Sequence, residues 1–162
     1  RRESETSTSK TITRSSQNFP LLRFSDVLLM FAEADNEINN APTTAAYEAV
    51  NMVRRRGYGF DQNTPNTTSD LSNLNYLTFK EQIQNERTRE LAFENMRKHD
   101  LVRWGIFYTS MQYLNGLVPV GTSSYVVAAR AYYGNAKARD VIWPIPTYEI
   151  TVNRLLTQNV GW

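Results

Sequence analysis

The 162-residue sequence contains no cysteine. That excludes disulfides, thiolate catalysis, Cys-ligated zinc and iron–sulfur clusters. It contains one histidine, His99. A carboxylate-bridged di-metal bundle needs Glu-x-x-His on inward faces, whereas Glu94 and His99 are five residues apart, about 140° around a helix. No metal or other cofactor is expected. No stretch approaches the ~18 consecutive apolar residues of a membrane-spanning helix. The opening RRESETSTSK has no apolar h-region and does not read as a signal peptide. The expectation is a cytosolic protein, or a mature chain or fragment whose export signal lies elsewhere. A large excess of one charge is lacking too. Of 18 basic and 16 acidic residues, Arg1, Arg2, Lys10 and Arg14 stand against Glu3 and Glu5 in the first 18 positions, leaving 14 of each sign in the rest. A neutral body has no clustered basic face, so no nucleic-acid partner is expected.

What is present is an ordinary globular composition, 41% hydrophobic and 21% charged, in a chain long enough for one domain with a real core. Residues 1–18 are Ser/Thr-rich and nearly free of apolar side chains, and they read as a flexible or extended N-terminal arm. Residues 19–162 read as the folded domain. Leu21 to Ile38, LLRFSDVLLMFAEADNEI, is apolar almost all round through Phe31 and then turns acidic, which predicts a helix. Asn39-Asn40-Ala41-Pro42 is a turn. Pro42 with Thr43 or Thr44 opens a second helix that runs to about Arg56, with Gly57 as its C′ residue. Ala46, Ala49, Val50 and Val53 give this helix a small-residue face for close approach. The pair is an αα-hairpin the size of one tetratricopeptide repeat, without a second copy in the chain. One such unit cannot bury both faces, so the expectation is the end of a larger helical protein, or heavy packing on the C-terminal half.

Tyr58 to Asn75, rich in Asn, Thr, Ser, Gly and Pro, reads as a long loop, and Thr78 with Glu81 as a capping box. The stretch from Phe79 to Phe107, FKEQIQNERTRELAFENMRKHDLVRWGIF, is rich in helix formers and predicts one long helix through at least Asp100. On a helical wheel Ile83 and Leu101 coincide, with Phe79, Phe93 and Trp104 close by. Glu90, Glu94 and Arg97 fall inside the same apolar arc and Glu86 at its edge, so these charges are expected to be buried or half-buried and paired. After Gly105 the chain becomes loop-rich and aromatic. Met111 to Leu117 is a helical tail, Val126 to Tyr133 is ambiguous between strand and short helix, and Asp140 to Pro146 is extended because residues before proline are pushed out of the helical region. Thr147 then caps a short turn, and the chain ends QNVGW. The fold class is mostly α: a tetratricopeptide-like helix pair, one long helix and a loop-rich C-terminal segment.

The order FPLLRFSDVLLMFAEA, NMVRRRG, ERTRELAFENMRKHDLVRWG, IWPIPTYEI and QNVGW resembles the C-terminal half of the SusD/RagB family, over about residues 19–162. The resemblance implies a fragment of an α superhelix built on tetratricopeptide-like pairs. It implies a non-catalytic lipoprotein at the outer-membrane surface of Bacteroidetes-type bacteria, one that binds an oligosaccharide or peptide and delivers it to a TonB-dependent, SusC-like transporter. The family's N-terminal half, which carries the signal and the lipidated cysteine, would then be a further partner and the source of the anchor. The alternative is a tetratricopeptide-like adaptor that binds protein and no sugar.

Glu86, Glu90 and Glu94 with Arg87, Arg89 and Arg97 invite a catalytic reading. A glycosidase needs two carboxyl groups on opposite sides of the scissile bond, whereas glutamates four apart point the same way from one helix. The expected role is a structural ion network of Glu86, Arg87, Glu90, Glu94 and Arg97, with Arg97 reaching back to Glu90 or Glu94 and Arg54, Arg55 and Arg56 as cross-helix partners. That arginine run also suits a helix C-terminus. Sugar rings stack on aromatic faces, and the candidate ligand-binding residues are those in loop-like surroundings: Tyr58, Tyr108, Tyr113, Tyr125, Tyr132 and Tyr133. Asp61, Asn63 and Asn66 are candidate polar contacts. Trp104 and Trp143, inside the shared motifs, are expected to be structural.

Overall fold

A computed structural model describes residues 20–162. The expected arm over residues 1–18 lies outside the described residues. Every regular element among the described residues is helical, as the sequence predicts. The chain divides into two compact units, the first ending at Ala92 and the second spanning Phe93–Trp162.

The first unit is a trio of packed helices, α1 (Phe24–Asn39), α2 (Thr44–Gly57) and α3 (Tyr76–Glu90). Helix α1 starts three residues later than the sequence predicts, and its C-cap, Asn40, is in the left-handed region at φ 52°. Helix α2 is capped by Thr43, whose hydroxyl accepts from the Ala46 N–H. At the other end Phe60 N–H donates to Arg55 C=O at 2.8 Å and Gly59 N–H to Arg56 C=O at 3.0 Å. That is a Schellman motif, and its left-handed residue is Gly59 at φ 81°. The expectation of Gly57 as C′ is therefore corrected: Gly57 is the last helical residue. Helix α3 is capped by Asn75, with Thr78 closing the capping box from the N3 position. Thr78 is thus the inner member of the box, because the helix begins three residues earlier than expected.

Leu29 and Ala32 of α1, Ala46, Ala49, Val50 and Val53 of α2, and Phe79 and Ile83 of α3 form one buried cluster. The small residues of α2 let the backbones approach closely. Tyr47 packs edge-on against Phe79 at 4.8 Å between ring centroids. The remainder of the buried stripe of α1 is polar, Ser25, Asp26 and Asn36, while Phe24, Val27, Met30 and Phe31 are exposed.

The loop from Tyr58 to Asn75 is strapped to one face of α2. Asn51 holds Leu71 by both backbone groups, accepting from its N–H at 2.7 Å and donating to its C=O at 3.1 Å. Tyr47 treats Leu74 the same way, and Arg54 Nε donates to Ser69 C=O at 2.6 Å. Residues 47, 51 and 54 recur at helical spacing, so backbone groups of Ser69, Leu71 and Leu74 find partners without secondary structure of their own.

The predicted long helix does not form. Helix α3 ends at Glu90 and α4 (Arg97–Arg103) begins after a turn. Phe93 at φ 65° and Asn95 at φ 61° are both left-handed, a conformation that no α-helix can continue through. Phe93, expected on the buried arc, is fully exposed.

The second unit comprises α4, α5 (Phe107–Leu117), α6 (Ser124–Gly134), a 3₁₀ turn over Ala138–Val141 and α7 (Thr147–Val152). A second Schellman motif ends α4: Ile106 N–H donates to Leu101 C=O and Gly105 N–H to Val102 C=O, both at 3.0 Å, with Gly105 at φ 71°. Its core is small, Leu101, Phe107 and Met111, flanked by half-buried Trp104, Leu114 and Tyr133 among others. Two local expectations are corrected here. Asp140 and Val141 close the 3₁₀ turn, so the extended run starts at Ile142; and Pro146, not Thr147, is the N-cap of α7.

The IWPIP and QNVGW segments are hydrogen-bond partners. Gln158 donates to Ile145 C=O at 2.9 Å and accepts from Ile145 N–H at 2.8 Å. Asn159 donates to Trp143 C=O at 2.7 Å, and the Trp162 indole N–H to Ile142 C=O at 3.1 Å. Neither Pro144 nor Pro146 has an N–H, so Ile145 offers the only donor between them. The Gln158 carboxamide satisfies it as a strand neighbour would.

Candidate functional site

The charged stripe of α3 makes ion pairs within the first unit. Arg87 pairs with Asp26 of α1 at 2.7 Å, both buried. Glu86 accepts on the same oxygen from Arg54 at 3.0 Å and Arg89 at 2.7 Å. Glu90 accepts from Arg23 at 2.8 Å and also from Arg56. Burial alone would raise the Glu90 carboxyl, but the bonds from Ser25, Arg23 and Arg56 outweigh it and hold the group below the usual glutamate range. It is therefore ionised at neutral pH and unsuited to act as a general acid. Glu94 is half-buried. Arg97 is exposed and lies 5.8 Å from the Trp104 ring centroid.

The most demanding charge is Arg55, only 1% exposed. Its guanidinium donates to both carboxylate oxygens of Glu48, at 2.8 and 3.0 Å. It also reaches Asp70, at 2.6 Å through Nη2, and Gln62 C=O at 3.0 Å. All three guanidinium nitrogens are used, which is the condition for tolerating a buried cation. The bonds to Asp70 and then Glu48 raise Arg55 above its ordinary value despite burial. In return Arg55 holds the Asp70 carboxyl below the usual range against its own desolvation, helped by the Asn66 N–H and the Ser69 hydroxyl.

Two concave surfaces remain as candidates for a ligand. One, of about 320 Å³, lies within the second unit and is walled by Phe107, Met111, Tyr132, Ile142, Trp143 and Trp162. Lys98, Asn135 and Asp140 supply its polar groups. The Lys98 ammonium sits 4.4 Å from the Trp143 ring centroid and 5.5 Å from that of Phe107, a cation–π arrangement. Arg139 lies 4.3 Å from the Trp162 centroid. An apolar aromatic wall with a few polar groups is the usual make-up of a small-molecule site. The other, of about 580 Å³, lies within the first unit beside Tyr58 and the charged stripe of α3.

The six candidate tyrosines do not converge. Tyr132 lines the aromatic cavity, and Tyr133 is half-buried against the core and edge-on to Tyr132 at 5.3 Å. Tyr58 lines the groove of the first unit. Tyr108 and Tyr113 on α5 and Tyr125 on α6 are exposed, and neither cavity includes them. Asp61 and Asn66 accept from the backbone N–H two residues on, of Asn63 and Thr68, as Asx turns. Sequence reasoning passed over Lys98, Phe107 and Trp162. The signal available was the glutamine–asparagine pair at 158–159, which brings Trp162 to the extended segment. Among the described residues no group of three or more His, Asp or Glu side chains is placed to hold a metal ion, and no helix is long and apolar enough to cross a membrane.

The chain resembles known proteins in sequence and in fold. The model of the SusD family matches residues 1–162. The chain is 34% identical over 146 residues to a SusD-like protein, P25, of Formosa agariphila, covering 89% of this chain and 24% of that protein. It superposes on the crystal structure of a SusD homolog from Bacteroides thetaiotaomicron with a TM-score of 0.76 and 36% identity, covering 88% of this chain and 26% of that one. The chain thus spans about a quarter of the length of either relative.

Proposed function

The chain belongs to the SusD/RagB family, and from that premise we propose that it serves non-catalytic capture of a nutrient glycan at the outer-membrane surface. The bound glycan would pass to a TonB-dependent, SusC-like transporter, and the anchor and the N-terminal half would lie outside these residues. The family match across the whole chain, together with a solved SusD homolog at 36% identity, carries this reading. Two features support it. The aromatic cavity of the second unit offers faces for stacking C–H surfaces of sugar rings. Glu86 and Glu90, the carboxylates nearest to a catalytic arrangement, are each paired with two arginines, and no opposing carboxyl group lines their groove. The exposed apolar residues of α1, Phe24, Val27, Met30 and Phe31, suit a surface that packs against the N-terminal half.

Isothermal titration of the full-length protein with oligosaccharides, and co-purification with the transporter, test the reading. Saturable binding that weakens about fivefold in Tyr132→Ala is expected, stacking contacts being worth about 1 kcal/mol. Affinity for the transporter with no affinity for any sugar would replace it with the adaptor function.

A further inference from the structure

The groove of the first unit has no part in the aromatic cavity, and it sets an aromatic ring beside polar and charged side chains. We infer that it is a separate binding subsite for a neutral saccharide, with Tyr58 as stacking platform and Gln82, Glu86 and Arg89 as hydroxyl contacts. The inference extends the glycan-binding reading and rests on it.

The platform comes from the Schellman turn that ends α2. Gly59, left-handed at φ 81°, turns the chain so that Tyr58 and Phe60 flank it with rings 6.3 Å apart and within 10° of parallel. Tyr58 is 56% exposed and Phe60 39% exposed. Both are fixed at the backbone, since Tyr58 N–H donates to Arg54 C=O and Phe60 N–H to Arg55 C=O. The Arg54 guanidinium lies 5.7 Å from the Tyr58 centroid and is itself tied to Ser69 and Glu86. Two neighbouring aromatic side chains so exposed to solvent gain little for the core. Tyr58 lines the polar groove and offers a stacking surface whose backbone ordering cost is met before a ligand arrives.

The polar groups follow from the spacing on α3. Gln82, Glu86 and Arg89 stand at i, i+4 and i+7, one face of the helix, and span ~10 Å along its axis. Both arginine bonds to Glu86 land on Oε2, so Oε1 remains to accept a hydroxyl. Arg89 uses one nitrogen on Glu86 and is otherwise exposed. The Gln82 carboxamide lines the groove, and its donors and acceptor are unused among the described residues. Planar amide, carboxylate and guanidinium groups can each engage paired hydroxyls. The lining carries Arg54 and Arg89 against Glu86 and Glu90, a balance that favours neither an anionic nor a cationic ligand and fits an uncharged, hydroxyl-rich one. The volume, about 580 Å³, lies within the range of small-molecule sites.

The test is isothermal titration of the full-length protein with malto-, cello-, xylo- and laminari-hexaose, repeated for Tyr58→Ala, Gln82→Ala and, as control, Tyr148→Ala, an exposed tyrosine outside both cavities. A hexaose that binds the parent should bind Tyr58→Ala about tenfold and Gln82→Ala about threefold more weakly, at an unchanged melting temperature. In Tyr148→Ala the affinity should be unchanged. Parent-like affinity in both Tyr58→Ala and Gln82→Ala would overturn the subsite while leaving glycan binding standing. If no hexaose binds the parent, the neutral-saccharide subsite is overturned. Binding of charged oligosaccharides by that same parent would show that the wider reading survives.

Discussion

The two units solve the same problem, a short helical chain with much polar sequence, in opposite ways. The first unit buries charge. It places Asp26, Arg55, Glu86 and Arg87 in or beside its core and satisfies them by pairing across three helices and a loop. The second unit buries little. Three hydrophobic residues form its core, and much of its tertiary hydrogen bonding is backbone held by side-chain amides, Gln158 and Asn159 on the Ile142–Pro146 segment. A charge network is costly to break but rigid, so it suits a scaffold. A loop-rich unit that leaves Tyr125, Tyr132 and Trp143 exposed has surface to offer instead.

The comparison can be broken most severely at Arg55. Arg55→Leu strands Asp70 beside an apolar side chain and should cost about 3–5 kcal/mol, read as lost protection from hydrogen exchange over α2, the 58–75 loop and α3 in the full-length protein. A loss below about 1 kcal/mol would show that the network is ornamental. Gln158→Ala attacks the corresponding device of the second unit. It leaves the buried side of Ile145 with unmet backbone groups and should cost about 1–3 kcal/mol, confined to peptides covering residues 142–162. A change spread evenly over both units would contradict the distinction drawn here.

Acidification separates the units by mechanism. Asp70 is held below its ordinary range chiefly by Arg55, and Glu37 chiefly by Lys80. Glu90 is held low by Ser25 and its two arginines against desolvation. A carboxyl with a depressed folded-state pKa contributes stability that is fully present above its unfolded value, near ~4, and is lost as pH falls through the folded value. Exchange protection of the first unit should therefore hold from neutrality to about pH 5 and fall below it. Protection that is flat from pH 6 to 2 would be inconsistent with these pairs. The smallest effect is expected at the start of α3, where Asn75→Ala removes the capping box and should cost ~1 kcal/mol.

Much of the first unit is legible in the sequence because the signals are local. Thr43 caps α2, and Ala46, Ala49, Val50 and Val53 recur at three and four residues on the face that is buried. The division of the predicted long helix is not legible. Ala92, Glu94, Met96 and Arg97 are all good helix formers, and nothing about Phe93 in isolation announces a left-handed conformation. The sequence points to Gly57 rather than Gly59 as the cap because both glycines follow the arginine run and only the hydrogen bonds distinguish them. The face of α2 that straps the loop reads as polar decoration until Leu71 and Leu74 are placed against it. The partnership of IWPIP with QNVGW connects residues 13 to 20 positions apart, beyond any local pattern. That is why the aromatic cavity it helps to wall could not be assembled from the tyrosines alone.

The central claim, binding without catalysis, is tested most directly by one titration. Full-length protein is mixed with oligosaccharide and followed by calorimetry, while released reducing ends are quantified in the same samples. Saturable heat with no new reducing ends over hours is the predicted result. Turnover, or the absence of binding by every glycan tried, would contradict it.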